Sequence, residues 1–295
     1  MYAMKQQKQM IGIVFRGAFA LLVAGIFVWG VFVEPEMLTR RRAEIVLPGW
    51  KPEHDKLKIA VLSDFHCLPT WSRSHYDRIV AAVEEERPDL IVLLGDFVNA
   101  TGDDIPPERL TAFLKRFRAP LGVYAVLGNH EFWYGYHRAK RLVEAAGIPV
   151  LENSSRRIEF NGAAFRVAGT EDFTTGRIDF RKTFDGIPEE EAVLLLTHNP
   201  DAVTLLPPGK AALTFAGHTH GGQVRLPWIG TAYMPEEIRV TRRPGMERDA
   251  CGNLLFLTGG LGTTTLPIRW NSPPEIGLVV LRAAQGQNDT RNATK

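Results

Sequence analysis

The chain has 295 residues, 45% hydrophobic and 23% charged, proportions of a packed globular protein that exclude a wholly disordered chain. Its formal net charge of +2, with no basic run longer than Arg40-Arg41-Arg42, argues against a nucleic-acid partner. Two cysteines far apart in sequence, Cys67 and Cys251, exclude a disulfide framework and a C-x-x-C zinc pattern, though they leave room for one pairing.

In chain order, residues 1–10 form a short segment holding Lys5 and Lys8. Ile11 to Val33 is apolar apart from Arg16 and small Gly and Ala positions, which meets the ~20 residues needed to span a bilayer core as a helix. Arg16 lies close enough to one end to snorkel to headgroups, and Trp29 stands at an interfacial position. Residues 11–33 therefore read as an uncleaved transmembrane anchor. The competing reading is a signal peptide, against which Val31-Phe32-Val33-Glu34-Pro35 offers no small-x-small cleavage site. Basic residues flank both ends, so the positive-inside rule leaves the orientation open.

Residues 34–56 read as a charged connector with one strand at 43–47. From Leu57 onward, apolar runs of strand length alternate with polar, helix-like stretches, the pattern of an α/β fold with buried strands. The runs are 59–62, 90–94, 123–127, 192–196 and 212–216. Tyr76–Glu86, with Ile79, Val80 and Val83 at helical spacing, predicts a β-α-β crossover, and Val143–Ala146 belongs to a similar helix. After Leu151, strands at 157–160, 165–168, 254–257 and 276–281 come without long helices, which predicts a second sheet packed on the first. The tail, 283–295, is polar and is expected to be disordered.

Each of the five apolar runs ends in residues of metal-binding type: Asp64-Phe65-His66, Gly95-Asp96, Gly128-Asn129-His130-Glu131, Thr197-His198 and Gly217-His218-Thr219-His220. Sites in open α/β sheets form outside the carboxyl ends of strands, so five such ends converge on one point. Of eight histidines, His66, His130, His198, His218 and His220 lie in these clusters, while His54, His75 and His137 read as ordinary surface or core residues. Asp64-x-His66 and His218-x-His220 place two side chains on one side of an extended segment. Gly95, Gly128 and Gly217 leave room for sharp turns. Asp96 has two oxygens with which to bridge two metals, and Asn129 adds a neutral ligand. With no thiolate, such a set suits Mn, Fe, Zn or Ni. Cys67 reads as a packing residue. Phe132, Trp133 and Tyr134 read as core, with a substrate or acyl groove as the alternative.

The order D-x-H, G-D, G-N-H-E, T-H, G-H-x-H resembles the calcineurin-like metallophosphoesterase superfamily over Leu57 to about Leu281, and the domain is placed at residues 57–282. The resemblance implies a four-layer αββα sandwich of two mixed β-sheets flanked by helices. It implies that Asp64, His66, Asp96 and His220 hold a first divalent ion, and Asp96, Asn129, His198 and His218 a second. A hydroxide bridging the metals would attack phosphorus, and His130 would protonate or stabilise the leaving oxygen. Residues 259–264, 266–269 and 273–276 resemble a bacterial subgroup of membrane-associated phosphodiesterases that includes the pyrophosphatases of UDP-2,3-diacylglucosamine. Glu131, where many relatives carry Asp, is expected to preserve a supporting hydrogen bond. Arg269 is a candidate phosphate contact; the alternative is a structural arginine. The expected function is hydrolysis of a phosphodiester or pyrophosphate, with a lipid-linked substrate as one candidate, by a protein anchored once in a bacterial inner membrane. The alternatives are a broad phosphomonoesterase or nucleotide phosphatase, and a non-catalytic membrane-tethered scaffold.

Overall fold

The computed structural model describes residues 2–100, 102, 104–231 and 243–284. Helix α1 (Tyr2–Val28) runs on through a wider turn at Trp29–Val33 and a 3-10 turn at Glu34–Glu36. Within it, 28 residues from Gln9 to Glu36 are long and apolar enough to cross a membrane, and the most apolar stretch is not buried against the protein at all. Next come β1 (Thr39–Leu47), β2 (Leu57–Leu62), α2 (Arg73–Glu86), β3 (Leu90–Leu93), α3 (Pro107–Leu114), β4 (Val123–Ala125) and α4 (Asn129–Ala145). They are followed by β5 (Ser154–Phe160), β6 (Ala163–Gly169), α5 (Phe180–Thr183), β7 (Val193–Leu196), β8 (Leu213–Ala216), β9 (Arg225–Leu226), β10 (Gly230–Thr231), β11 (Gly245–Arg248), β12 (Leu254–Leu257) and β13 (Glu275–Ala283).

Two sheets result, in the orders β1-β13-β2-β3-β4 and β11-β12-β8-β7-β6-β5, with β9 and β10 as a separate ribbon. Side-chain alternation along the strands explains the layering. In β2, Ala60 and Leu62 face Tyr76, Ile79 and Val83 of α2. Ile59 and Val61 face the second sheet, where Phe165, Val167, Leu194, Leu196 and Phe215 meet them. The outer face of the second sheet is covered more thinly, by Phe180 of α5, Phe184, Ile187 and Leu206. Two mixed sheets with helices outside is the architecture expected from the resemblance.

The crossover forms as the spacing predicts: β2 and β3 are parallel and α2 joins them. Ser72 caps α2 by accepting from the His75 amide, and the helix stops at Arg87 in the left-handed region, φ 48°. The strand in the 34–56 segment extends over 39–47 and pairs with β13. One expectation is corrected. The strand at 276–281 does not join the second sheet but inserts between β1 and β2 of the first. Both its faces are needed there, since Ile276 and Leu278 meet the helices while Val279 and Leu281 meet the other sheet. Of the expected disordered tail, residues 285–295 lie outside the described residues. Cys67 is buried, Cys251 is exposed, and both are free thiols.

Candidate metal centre

The loops leaving β2, β3, β4, β7 and β8 meet at one edge of the sandwich. Their backbones cross-link through Asp64 N to Gly95 O (3.0 Å), His66 N to Asp96 O (2.8 Å) and Gly217 N to His198 O (2.9 Å). The turns are forced. Asp64, His66, Asp96, His218 and His220 all have φ between 42° and 67°, a region non-glycine residues seldom adopt, and such strain collects at functional sites. Gly95 supplies a true left-handed turn at φ 91°. Gly128 and Gly217 serve close approach instead, because a Cβ there would overlap Asp96 and Ser63 respectively. The Gly259–Gly262 loop backs the centre rather than facing it. Leu261 N donates to Ser63 O and Gly262 N to Asp64 O, and a Cβ on Gly260 would stand 2.6 Å from that of Asp64.

Asp96 Oδ2 is the hub. It lies 3.5 Å from His66 Nε2, 3.2 Å from His198 Nε2 and 4.0 Å from His130 Nε2, while Oδ1 accepts from the His130 amide. His66 Nε2 and His220 Nε2 are 3.1 Å apart, His198 Nε2 and His218 Nδ1 are 3.0 Å apart, and His220 Nε2 is 3.5 Å from Asp64 Oδ1. Two groups of ligand atoms result, Asp64–His66–Asp96–His220 and Asp96–His198–His218, each drawn within 4.8 Å and sharing Asp96. Asn129, the first residue of α4, is buried, and its Oδ1 has no hydrogen-bond partner.

Burial keeps three of the four converging imidazoles neutral. Burial holds the imidazoles of His66 and His218 down to about 3 and that of His220 well below its ordinary value, so all three offer lone pairs at neutral pH. Burial also raises the Asp64 carboxyl to about 6. Asp96 goes the other way. Burial alone would raise it, but His198 beside it holds it well below the carboxylate range, and Asp96 in turn raises His198 against burial. His198 Nδ1 donates to Leu94 O at 2.6 Å, which fixes Nε2 toward the centre. Converging nitrogen lone pairs, two carboxylates and an orphaned amide oxygen fit divalent metal.

Other side chains complete the picture. His130 is the most exposed member, 8% accessible against 0–3% for the seven around it, so the centre opens on its side. Its Nδ1 donates to Asn99 O at 2.8 Å, leaving Nε2 toward Asp96. Glu131 is wholly buried and does more than the single supporting bond expected of it. One oxygen accepts from the amides of Asp96 and Gly128 (2.8 Å each), the other from Phe97 and Val98 (2.7 and 3.2 Å). It thereby ties the Asp96 loop to the loop carrying Asn129 and His130. Burial pushes its carboxyl up to about 8, and the four N–H donors favour the ionised acceptor.

Two readings from sequence change here. Arg269 is not a phosphate contact: it is fully buried and donates to the carbonyls of Gly259, Gly260, Gly262, His220 and Ser272. Its fork is spent on backbone, with none left for a substrate. Burial lowers it to about 10, still cationic at neutral pH. Phe132 and Trp133 are not core but 42% and 57% exposed. Trp133 lies 4.6 Å from the His130 ring, and the Arg177 guanidinium sits over Phe132. Tyr134 packs partly against the first core. Sequence reasoning also missed Glu34, buried at the foot of α1, which accepts from the Trp29 indole and the Ser272 amide; an acidic residue beside an apolar helix carries no local sign of such partners.

A profile of the calcineurin-like phosphoesterase family matches residues 57–222. The chain is 28% identical over 266 residues to YkuE, an uncharacterized metallophosphoesterase of Bacillus subtilis, covering 90% of this chain and 92% of that protein. It is 26% identical over 304 residues to the UDP-2,3-diacylglucosamine pyrophosphatase LpxG of Chlamydia trachomatis, covering 86% and 92%. A bovine transmembrane protein with metallophosphoesterase domain is 28% identical over 263 residues, covering 82% of this chain and 56% of that one.

Proposed function

The chain belongs to the calcineurin-like phosphoesterase family, and on that premise we propose that it is a two-metal hydrolase of phosphodiester or pyrophosphate bonds working at a membrane. Metal-dependent phosphoesterase chemistry comes with the family. The observation that carries the finer reading is the pair of ligand groups joined through Asp96. Asp64, His66, Asp96 and His220 would hold one ion, and Asp96, Asn129, His198 and His218 the other. Mn, Fe, Zn and Ni suit this donor set. When bound, such ions acidify water and neutralise charge on the phosphoryl oxygens.

The chain's own groups do the rest. Glu131 holds the Asp96 and Gly128 loops in register. His130, with Nδ1 committed to Asn99 O, presents Nε2 on the open side of the centre; protonated there, it would give its proton to the leaving oxygen. The apolar helix and relatives named as transmembrane proteins support membrane association. The relative named as acting on UDP-2,3-diacylglucosamine aligns over nearly its whole length. A lipid-linked pyrophosphate of that class, handled by a protein anchored once in a bacterial inner membrane, is the reading we favour, and exposed Phe132 and Trp133 beside His130 suit an amphipathic substrate.

The test uses the full chain in detergent, stripped of metal and reloaded with Mn²⁺, assayed on a chromogenic phosphodiester beside its monoester. Metal-dependent diester cleavage lost in D96A is the expected result. Faster monoester cleavage would favour the phosphatase alternative. No hydrolysis of either ester, or of a lipid pyrophosphate, by folded protein loaded with Mn²⁺, Fe²⁺, Zn²⁺ or Ni²⁺ would overturn the reading.

A further inference from the structure

We propose that the β9–β10 hairpin is a second membrane contact, seating the rim of the metal centre on the same lipid surface that α1 enters. The hairpin tip is Pro227-Trp228-Ile229-Gly230. Trp228 is 102% exposed and Ile229 77%, and no described side chain covers either. A fully exposed tryptophan at a turn is costly in water, and its ring suits the headgroup level of a bilayer.

Hydrogen bonds tie the hairpin to the foot of the helix. Arg225 N donates to Trp270 O, and Trp270 N to Gln223 O, both at 2.9 Å. Gln223 donates to the carbonyls of Thr264 and Leu266 and accepts from Thr264 N. Arg269 N donates to Gly30 O at the last turns of the apolar helix, where a Cβ on Gly30 would stand 2.9 Å from Ile268. Leu266 on the connecting loop is 59% exposed, and Phe32 at the helix foot 66%. The exposed apolar side chains on the hairpin, the loop and the helix therefore belong to one bonded unit. Continuity with the helix selects the occupant. A soluble partner protein would have no reason to share a surface with a segment able to cross a membrane, whereas a bilayer meets both at once. The hairpin also follows directly on His218-Thr219-His220-Gly221-Gly222, so lipid contact at its tip sets the height of the metal centre above the membrane. This inference rests on the membrane placement of the helix and not on the substrate proposed above.

The test is lipid proximity in the full chain. With exposed Cys251 replaced by serine and Cys67 buried, W228C or I229C is labelled with an environment-sensitive fluorophore. The protein is reconstituted in phosphatidylcholine–phosphatidylglycerol vesicles containing headgroup-proximal spin-labelled lipid. A label at E189C, in the exposed segment before the amino end of β7 and so away from the carboxyl strand ends that form the centre, is the reference. Emission from 228 and 229 should be blue-shifted and quenched severalfold more than from 189. Quenching no stronger than at 189 overturns the proposal, as a hairpin that faces water or a soluble partner would give. A paired W228S/I229S variant should lose about tenfold in hydrolysis of a vesicle-borne phosphodiester and keep its rate on a water-soluble one. Equal loss on both substrates, or on neither, would also refute it.

Discussion

E131Q is the sharpest probe of how the centre is held. The carboxylate of Glu131 takes four backbone N–H groups, two on each oxygen, from Asp96, Gly128, Phe97 and Val98. The substitution keeps size and shape but turns one acceptor into a donor. Whichever way the amide is turned, two buried N–H groups face an N–H, and the other two lose a charged acceptor. Each buried unsatisfied donor costs about 1–3 kcal/mol, so two of them should lower stability by about 2–6 kcal/mol. In either orientation the Asp96 and Gly128 amides, which set the hub carboxylate and start the helix bearing Asn129 and His130, lose their charged acceptor. Loss of such supporting contacts costs about 10–100-fold in metal affinity or activity. Urea denaturation gives the first quantity; metal content by mass spectrometry after dialysis against a weak chelator, together with kcat on a phosphodiester, gives the second. E131D retains both oxygens on a shorter stem and should recover part of each loss. Stability within 0.5 kcal/mol of the parent and full metal content in E131Q would refute the clamp.

Two further outcomes follow from buried groups away from the reacting atoms. R269A leaves five carbonyls without their donor and should lower stability by about 3–5 kcal/mol, with R269K recovering little because an ammonium cannot reach all of them; a raised KM at unchanged melting temperature would instead restore Arg269 as a substrate contact. His54 lies between Trp50 and Phe165, ring centroids 5.0 and 5.3 Å away, and burial holds its imidazole below the ordinary value. The unfolded chain takes up a proton there below about pH 6.5, and the folded chain binds one less readily. Its contribution is therefore full above that pH and is lost as pH falls below it. H54F should flatten the acid-side slope of stability by up to about 1.4 kcal/mol per pH unit, measured by denaturant midpoints between pH 7 and 5; parallel slopes would show that His54 does not titrate on unfolding.

The centre was the most legible part of this chain. Buried strands announce themselves as short apolar runs, and a residue of ligand type directly after each run has little other reason to be there. The hub position of Asp96 and the convergence of Asp64, His66, His198, His218 and His220 agree with that reading in distance and burial. Asn129 lies buried beside them with its amide oxygen left without a partner.

Less was legible where a residue's role depends on what comes to it from elsewhere. Residues 275–283 have the same apolar character as any strand, and only pairing with both β1 and β2 puts them in the first sheet. Arg269 looked like an anion contact because a guanidinium suits phosphate, but its fork serves carbonyls just as well when five of them converge. Trp133 follows a buried motif yet points outward, since α4 has turned its face to the open side of the centre by then.

By itself, then, the amino-acid order determined the α/β layering, the apolar N-terminal helix and which residues of ligand type follow the buried strands, because hydrophobic period and donor chemistry are properties of single residues and their near neighbours. The tertiary structure alone decided sheet membership, the Glu131 clamp, the burial of Arg269 and the bonded link from helix foot to hairpin. Those depend on hydrogen-bond partners far apart along the chain, and no local pattern records where a distant carbonyl will point.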